Sequence, residues 1–244
     1  MFERLHHRRI AAILASLDGD RLRKAGCWFG GGTAIALLKG EYRESVDMDF
    51  LVSDLQGYRW MRQHLDGARG LDAVLRPGAG AFAIVGAIRA DQYGIRTSLD
   101  DGFGRPIKFE IVLEARMVLD VPPVRRAISG VTVMGDGDLA ASKLLANADR
   151  WRDDSVFSRD IIDLAMLDLP PRLLQPALAK SYAAYGEAIL ASARRALDRL
   201  DTDPGHVRRC LAAMSMNMAP AALHHRLRLL RRRIEQAARG AGLK

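Results

Sequence analysis

Residues 29–51 read FGGGTAIALLKGEYRESVDMDFL, and this stretch decides the fold. An apolar run ends in three glycines, continues into a short helix of Ala, Ile and Leu, and leads to the strand-like run Met48–Val52. Because side chains alternate along a strand, Asp47 and Asp49 share one face, while the residues between and after them face the core. The stretch therefore predicts a glycine bend, a helix and a strand that presents two carboxylates.

This combination of bend and acids is suited to phosphate and metal binding. Two carboxylates held a few ångströms apart repel each other unless a cation lies between them, and Mg²⁺ prefers such ligands together with substrate phosphate. Gly31 and Gly32 let the backbone approach a phosphate, and the N–H groups at the start of the helix point at it. The Thr33 hydroxyl adds a donor there. We expect this stretch to bind a nucleoside triphosphate with Mg²⁺.

Glu110 lies inside the otherwise apolar strand-like run Ile107–Leu113. Buried acids are rare unless they are paired or bound to a metal. If this strand lies beside the strand of Asp49, Glu110 adds a third carboxylate to a two-metal site. Lys108 shares the same face by alternation, so a salt bridge from Lys108 or from an arginine to Glu110 is the alternative.

The remaining pattern divides the chain near residue 135. Before it, strand-like runs alternate with helical pieces, and the turn-rich stretch DDGFGRP at 100–106 predicts a hairpin. After it, the pattern is helical, with Ser158 as a helix cap and one long helix over about 172–200. We predict an α/β (α+β) domain with a small mixed sheet over 1–135 and an all-helical domain over 136–244. The other expected strands are 81–88, 95–99 and 131–134, and the other expected helices include 5–17, 205–217 and 220–239.

Composition narrows the class of protein. The chain has 244 residues, of which 49% are hydrophobic and 27% charged, and this balance supports a real core and argues against disorder. No apolar run approaches the ~20 residues that a membrane span needs, and no secretory signal pattern is present. We expect a cytoplasmic protein without a membrane partner.

Most of the net charge of +8 lies in residues 221–244, which contain seven Lys or Arg residues and one acid, Glu235. Leucine and isoleucine recur there at helical spacing, so one face of this helix packs and the other is basic. The clustered charge favours a polyanion, and a tRNA stem is the partner that we favour. A solvated basic helix and a contact with an acidic protein partner remain alternatives.

Several blocks in this order resemble the polymerase-β-type nucleotidyltransferase superfamily, and more closely its AbiEii/AbiGii toxin branch, which includes the MenT-like toxins. Such an ordered set is far more specific than a single glycine pair or a single pair of acids. The blocks lie within residues 29–165 and comprise Gly31-Gly32-Thr33, Arg43-x-Ser45-x-Asp47-x-Asp49, the Glu110 strand, Lys143-Leu144-Leu145-Ala146 and Arg159-Asp160-Ile161-Ile162-Asp163-Leu164.

The resemblance implies a role for each acid of the first domain. Asp47, Asp49 and Glu110 would be catalytic and would bind two Mg²⁺ ions, and Glu110 would also serve as a base. Ser45 would donate a hydrogen bond to a phosphate oxygen; its alternative role is to stabilise a local turn.

The resemblance also implies nucleotide contacts from the helical domain, which would complete a cleft between the domains. Lys143 would contact the triphosphate, and the alternative is a lysine that extends its ammonium to water. Asp160 and Asp163 are neighbours on one helical face and would orient Lys143, Arg159 or the nucleotide. For Asp160 the alternative is stabilisation of the helix start.

By resemblance, the chain is the toxin of a toxin–antitoxin or abortive-infection system. It would transfer a nucleoside monophosphate from an NTP to an RNA hydroxyl, with the 3′ end of tRNA as the leading acceptor, and a cognate antitoxin would restrain it. One alternative is transfer to a small molecule such as an aminoglycoside, which requires an acidic cleft rather than a basic protein. The other is a nucleotide-binding module without catalysis, against which the intact Asp47–Asp49 pair argues.

Overall fold

The computed structural model describes residues 2–66, 70–79 and 82–243, and these residues divide into two compact units. The first unit comprises the described residues up to Leu37 together with Ser45–Gly135. The second comprises Leu38–Glu44 and the described residues from Asp136 onward. The segment Leu38–Glu44 therefore belongs to the second unit, although its sequence neighbours on both sides belong to the first.

The first unit is built on a mixed five-stranded sheet in the order β1-β2-β5-β4-β3. Strands β2 and β5 are parallel, and the other neighbouring pairs are antiparallel. A separate pair, β6 and β7, is also antiparallel. The strands are β1 (Cys27–Phe29), β2 (Met48–Val52), β3 (Ala83–Ala90), β4 (Gly94–Asp100), β5 (Ile107–Leu113), β6 (Ala127–Ile128) and β7 (Val131–Thr132).

Four α-helices and a short 3-10 helix at Gly70–Val74 accompany this sheet along the chain. The helix after the glycine bend is buried along most of its length. The α-helices are α1 (Leu5–Ser16), α2 (Gly19–Lys24), α3 (Gly31–Leu38) and α4 (Leu55–Leu65).

The core of the sheet lies against one face of β2 and β5. Met48, Phe50 and Phe109 are fully buried there. The ring of Phe50 lies 5.4 Å from that of Phe29 and 5.3 Å from that of Phe109 between centroids, within the favourable range for aromatic pairs. Because neighbours alternate, burial of these residues directs Asp49 and Glu110 to the opposite face.

Two predicted strands, 48–52 and 107–113, have the observed bounds. The hairpin is also confirmed, because β4 and β5 pair with Leu99 opposite Ile107 across the turn-rich stretch. The strand predicted over 81–88 is observed as Ala83–Ala90, and Ala81 lies outside the described residues.

The second unit is helical in its described part, and the sheet followed by helices confirms the predicted fold class. A 3-10 helix at Asp154–Val156 joins the first two α-helices. None of the described helices is both long and apolar enough to cross a membrane. The α-helices are α5 (Asp136–Arg150), α6 (Arg159–Leu167), α7 (Pro171–Tyr185), α8 (Ala188–Thr202), α9 (Pro204–Ala213) and α10 (Pro220–Gly240).

Two predictions for this unit are wrong. The single helix expected over 172–200 is two helices, because Gly186 adopts φ 59° and ψ −144°, a conformation that ends α7. Ser158 precedes α6 as predicted, but its hydroxyl does not cap the helix. It lies 2.8 Å from Nε2 of His206 instead.

Candidate active site

The glycine bend and the acidic strand are in direct contact. The N–H of Gly30 donates to the carbonyl of Asp49 at 2.8 Å. Gly31, at the start of α3, has φ +66°, and a Cβ there would lie 2.3 Å from Oδ2 of Asp49. Only glycine fits this position, because any side chain would collide with the carboxylate. The glycine bend therefore lies directly against the acidic strand at Gly31, whereas phosphate binding by Gly31 and Gly32 stays a prediction.

Thr33 and Ser45 fix the chain segment that leads into β2. The Thr33 hydroxyl donates to the carbonyl of Asp47 at 2.5 Å and lies 2.8 Å from Oγ of Ser45. The N–H of Ser45 donates to Nε2 of His7 at 3.1 Å. Both hydroxyl residues are buried, so in this structure they fix the backbone beside the acids. His7 belongs to none of the sequence motifs, so sequence reasoning missed its contact with Ser45.

The acids gather on one face of the sheet. Asp49 lies opposite Glu110 in the parallel ladder of β2 and β5. Burial lowers the pKa of Lys108, but the carboxylates of Glu110, Asp47 and Asp49 outweigh this effect and raise that pKa above its ordinary value. All three predicted catalytic acids therefore raise the pKa of the same ammonium group, as expected for side chains on a shared face.

Glu110 forms the salt bridges that the sequence left as an alternative to metal binding. Its Oε1 lies 2.5 Å from Nε of Arg96, and its Oε2 lies 2.5 Å from Nζ of Lys108. Burial raises the pKa of Glu110, but these two cations outweigh it and lower the pKa below its usual value. Sequence reasoning missed Arg96, although the hairpin register places it directly opposite Glu110.

The donor set fits a divalent cation that is shared with a nucleotide, and it does not form a complete protein cage. In the described part of the chain, no three carboxylate, imidazole or thiol groups are arranged to hold a metal ion. Mg²⁺ commonly uses one or two protein carboxylates and takes its other ligands from phosphate and water. Asp47 and Asp49 are two such carboxylates, and the glycine bend lies directly against Asp49 at Gly31.

The second unit contains a buried ionic cluster around Asp163. Tyr42 donates its hydroxyl to Asp163 at 2.6 Å, and Arg43 binds both carboxylate oxygens at 2.7 and 2.9 Å. The ammonium of Lys143 lies 2.7 Å from Asp163 and 2.9 Å from Asp160. Both predicted acids thus hold the predicted lysine, and Arg43 pairs with Asp163.

Opposite charges compensate for burial in this cluster. Burial raises the pKa of Asp163, but Arg43 and Lys143 outweigh it and keep that pKa below its usual value. Burial lowers the pKa of Lys143, and the two carboxylates reverse this effect and raise it. Asp160 also binds Arg150 at 2.7 Å, so side chains engage both of its carboxylate oxygens.

Comparison with known proteins identifies the family. A family model described as nucleotidyl transferase AbiEii toxin, type IV toxin–antitoxin system, matches residues 12–238. No curated protein sequence matches the chain.

Two crystal structures from Helicobacter pylori are similar in fold. The protein JHP933 is 15% identical with a TM-score of 0.56, covering 99% of this chain and 98% of its own. A provisionally assigned nucleotidyltransferase is 14% identical with a TM-score of 0.54, covering 95% of each chain. At this identity the likeness concerns the fold. The family match spans most of the sequence and includes every predicted site residue, so the chain is a nucleotidyltransferase that belongs to the AbiEii toxin family of type IV toxin–antitoxin systems.

Proposed function

We propose that this toxin transfers a nucleoside monophosphate from an NTP to a hydroxyl of RNA in the cytoplasm, with Mg²⁺ as its metal. The 3′ end of tRNA is the leading acceptor, and a cognate antitoxin restrains the activity. The contact between Gly31 and Asp49 carries the proposal, because a glycine bend of the kind that suits phosphate lies against the acidic strand. The RNA acceptor is supported by the positive charge near the end of the chain.

The first unit supplies the proposed reaction centre. Backbone N–H groups at Gly31 and Gly32 bind phosphate oxygens, and Asp47 and Asp49 hold Mg²⁺. Two bound Mg²⁺ ions would neutralise the triphosphate and lower the pKa of the acceptor hydroxyl. Thr33 and Ser45 keep the acids in position through the hydrogen bonds described above, and Ser45 also contacts phosphate.

The transfer itself is a substitution at the α-phosphorus. The acceptor oxygen forms a bond to this phosphorus, the bond to the bridging oxygen breaks, and pyrophosphate leaves with the electron pair. Glu110 accepts the hydroxyl proton as base and contributes to the metal site. To act as the base, Glu110 has to break its salt bridges with Lys108 and Arg96. These two cations engage both of its carboxylate oxygens in the structure.

The buried cluster of the second unit positions a cation for the nucleotide. Asp160 and Asp163 fix the ammonium of Lys143 from two directions. We assign triphosphate binding to Lys143 and the orientation of that side chain to the two acids. The resemblance of the Lys143 and Asp160 blocks to the family pattern supports this assignment.

The test is incubation with each labelled NTP, Mg²⁺ and total RNA. Wild type is compared with Asp47→Asn and with Asp66→Asn, an exposed aspartate that serves as a matched control. We expect label on RNA with wild type and Asp66→Asn and none with Asp47→Asn. Label on a small molecule would replace RNA with another acceptor, and no transfer with any NTP would favour an inactive module.

The same assay tests Glu110. Loss of a general base lowers the rate by about 10²–10⁴-fold, so Glu110→Gln is expected to fall in this range. Lys108→Met removes a charge from the same face without removing the base, and we expect a much smaller loss. Equal losses in the two variants would reduce Glu110 to a structural ion pair.

A further inference from the structure

The arginines of α10 fall into two groups. Arg226 and Arg233 both pair with Asp168, at 3.7 and 2.5 Å, and Arg231 pairs with Asp198 at 2.7 Å. These three guanidinium groups are neutralised within the second unit. The single acid of the helix, Glu235, is likewise engaged, by Arg194 at 2.9 Å.

The second group is the outer stripe, which we define as His225, Arg228, Arg232 and Arg239. All four side chains are exposed. In the part of the chain that the structure describes, none of these three arginines forms an ion pair. At about 100° of rotation per residue, the four positions fall within an arc of roughly 60°.

The outer stripe lies opposite the packed face of α10. Leu223, Leu227, Leu230 and Ile234 are buried, as their spacing predicted, and they centre on the other side of the helix. At 1.5 Å per residue, Arg228 and Arg239 are separated by about 16 Å along the axis. The helix therefore presents a narrow row of exposed guanidinium groups that form no ion pair with the described residues.

We infer that the outer stripe binds the phosphodiester backbone of RNA. Guanidinium groups bind phosphate in a bidentate manner, and a row of them matches a polyanion. None of the exposed large hydrophobic residues of the described chain lies on α10. Protein interfaces are anchored by buried apolar and aromatic residues, so a nucleic acid suits this face better than a protein partner.

The chemistry of the stripe also determines the kind of contact. No Phe, Tyr or Trp lies among its residues, so it offers no surface on which bases stack. Contacts to phosphate position an RNA without reading its sequence. The stripe therefore supplies affinity and orientation, and it leaves the choice of the acceptor nucleotide to other parts of the protein.

The inference rests on the proposed RNA acceptor, but it is tested by binding without NTP. Bulk tRNA is titrated against full-length protein carrying Asp47→Asn, with and without R228A/R232A/R239A, at several salt concentrations. A matched control, R59A/R105A/R125A, removes three exposed arginines from the first unit. Alanine favours helix, so circular dichroism should show an intact α10.

We expect the stripe variant to bind tRNA at least about tenfold more weakly, with a salt slope reduced by roughly 2–3, and the control to bind normally. The variant R228K/R232K/R239K should retain most of the binding, because it retains the charge. Equal binding by the stripe variant and its control would overturn the inference while leaving transfer to RNA intact. So would tighter, stripe-dependent binding to phosphatidylserine vesicles than to tRNA. Stripe-dependent tRNA binding without label transfer would instead contradict the proposed acceptor alone.

Discussion

A missing Cβ at position 31 allows the bend and the acidic strand to meet. The left-handed backbone there is tolerated by glycine, and the carboxylate of Asp49 occupies the space that a side chain would need. The backbone conformation of Gly31 and its contact with Asp49 thus both require glycine. The two requirements can be separated experimentally, because Gly40 shares the left-handed conformation but has no such contact. Gly40 has φ +75°, and its Cβ would meet nothing within 4 Å.

We expect Gly31→Ala to destabilise the protein more than Gly40→Ala does. The left-handed conformation costs a non-glycine residue about 1–2 kcal/mol at each position. The collision with Asp49 should add roughly 1–3 kcal/mol at Gly31 only, as overpacking does. Urea unfolding of both variants measures the difference, and equal losses would show that Asp49 moves aside freely.

At this scale the sequence predicted the chemistry of the residues better than their partners. Alternation placed Asp47, Asp49 and Glu110 on one face, and the Lys108 salt bridge was an explicit alternative. Arg96 was missed because its position opposite Glu110 requires the exact hairpin register. Whether these acids bind metal, and whether Lys143 binds nucleotide, remain predictions.

Among the elements, strands were predicted more accurately than helix ends. The runs of β2 and β5 are bounded by charged or turn residues, and their alternation gives the observed limits. The break between α7 and α8 leaves the apolar periodicity almost uninterrupted. It depends on the backbone of Gly186, whose φ and ψ cannot be read from hydrophobic spacing.

We expect Gly186→Ala to lower the free energy of unfolding by about 1–3 kcal/mol, the usual cost of a backbone conformation restricted to glycine. No atom lies within 4 Å of the added Cβ, so the loss is conformational. Gly137→Ala, inside α5 and equally free of contacts, should instead raise stability by up to about 1 kcal/mol. Thermal or urea unfolding tests both signs, and a stabilised Gly186→Ala would mean that α7 and α8 fuse into the predicted single helix.

At the scale of the whole molecule, the buried ionic cluster joins parts of the chain that are distant in sequence. Arg43 and Asp163 are 120 positions apart. The sequence showed each charge but gave no means of pairing them, because local spacing carries no information about such a contact.

We expect Asp163→Asn to cost about 3–5 kcal/mol at neutral pH, because it leaves the buried Arg43 without its carboxylate. Lys143→Met should cost less, because Asp160 keeps Arg150 and Asp163 keeps Arg43. Urea unfolding followed by circular dichroism gives this ranking, and the reverse order would place Lys143 at the centre of the cluster.

The pH dependence of the Asp163→Asn loss provides a second check. The pKa of Asp163 is lowered in the folded protein, so its stabilisation is complete above the ordinary carboxyl pKa of about 3.9 and disappears as the pH falls through the folded value. The gap between wild type and Asp163→Asn should be constant above about pH 5 and shrink below about pH 4. A gap that is unchanged in acid would exclude the ionised carboxylate as its source.

The assignment of Leu38–Glu44 to the helical unit has a consequence for biosynthesis. The ribosome synthesises this segment long before α5 and α6, so Arg43 must wait for Asp163 while a further 120 residues are translated. Cutting the gene at codon 136 would separate them permanently. Neither product would carry the full set of partners, and the toxin would have to be dissected by removing Leu38–Glu44 together with the helices.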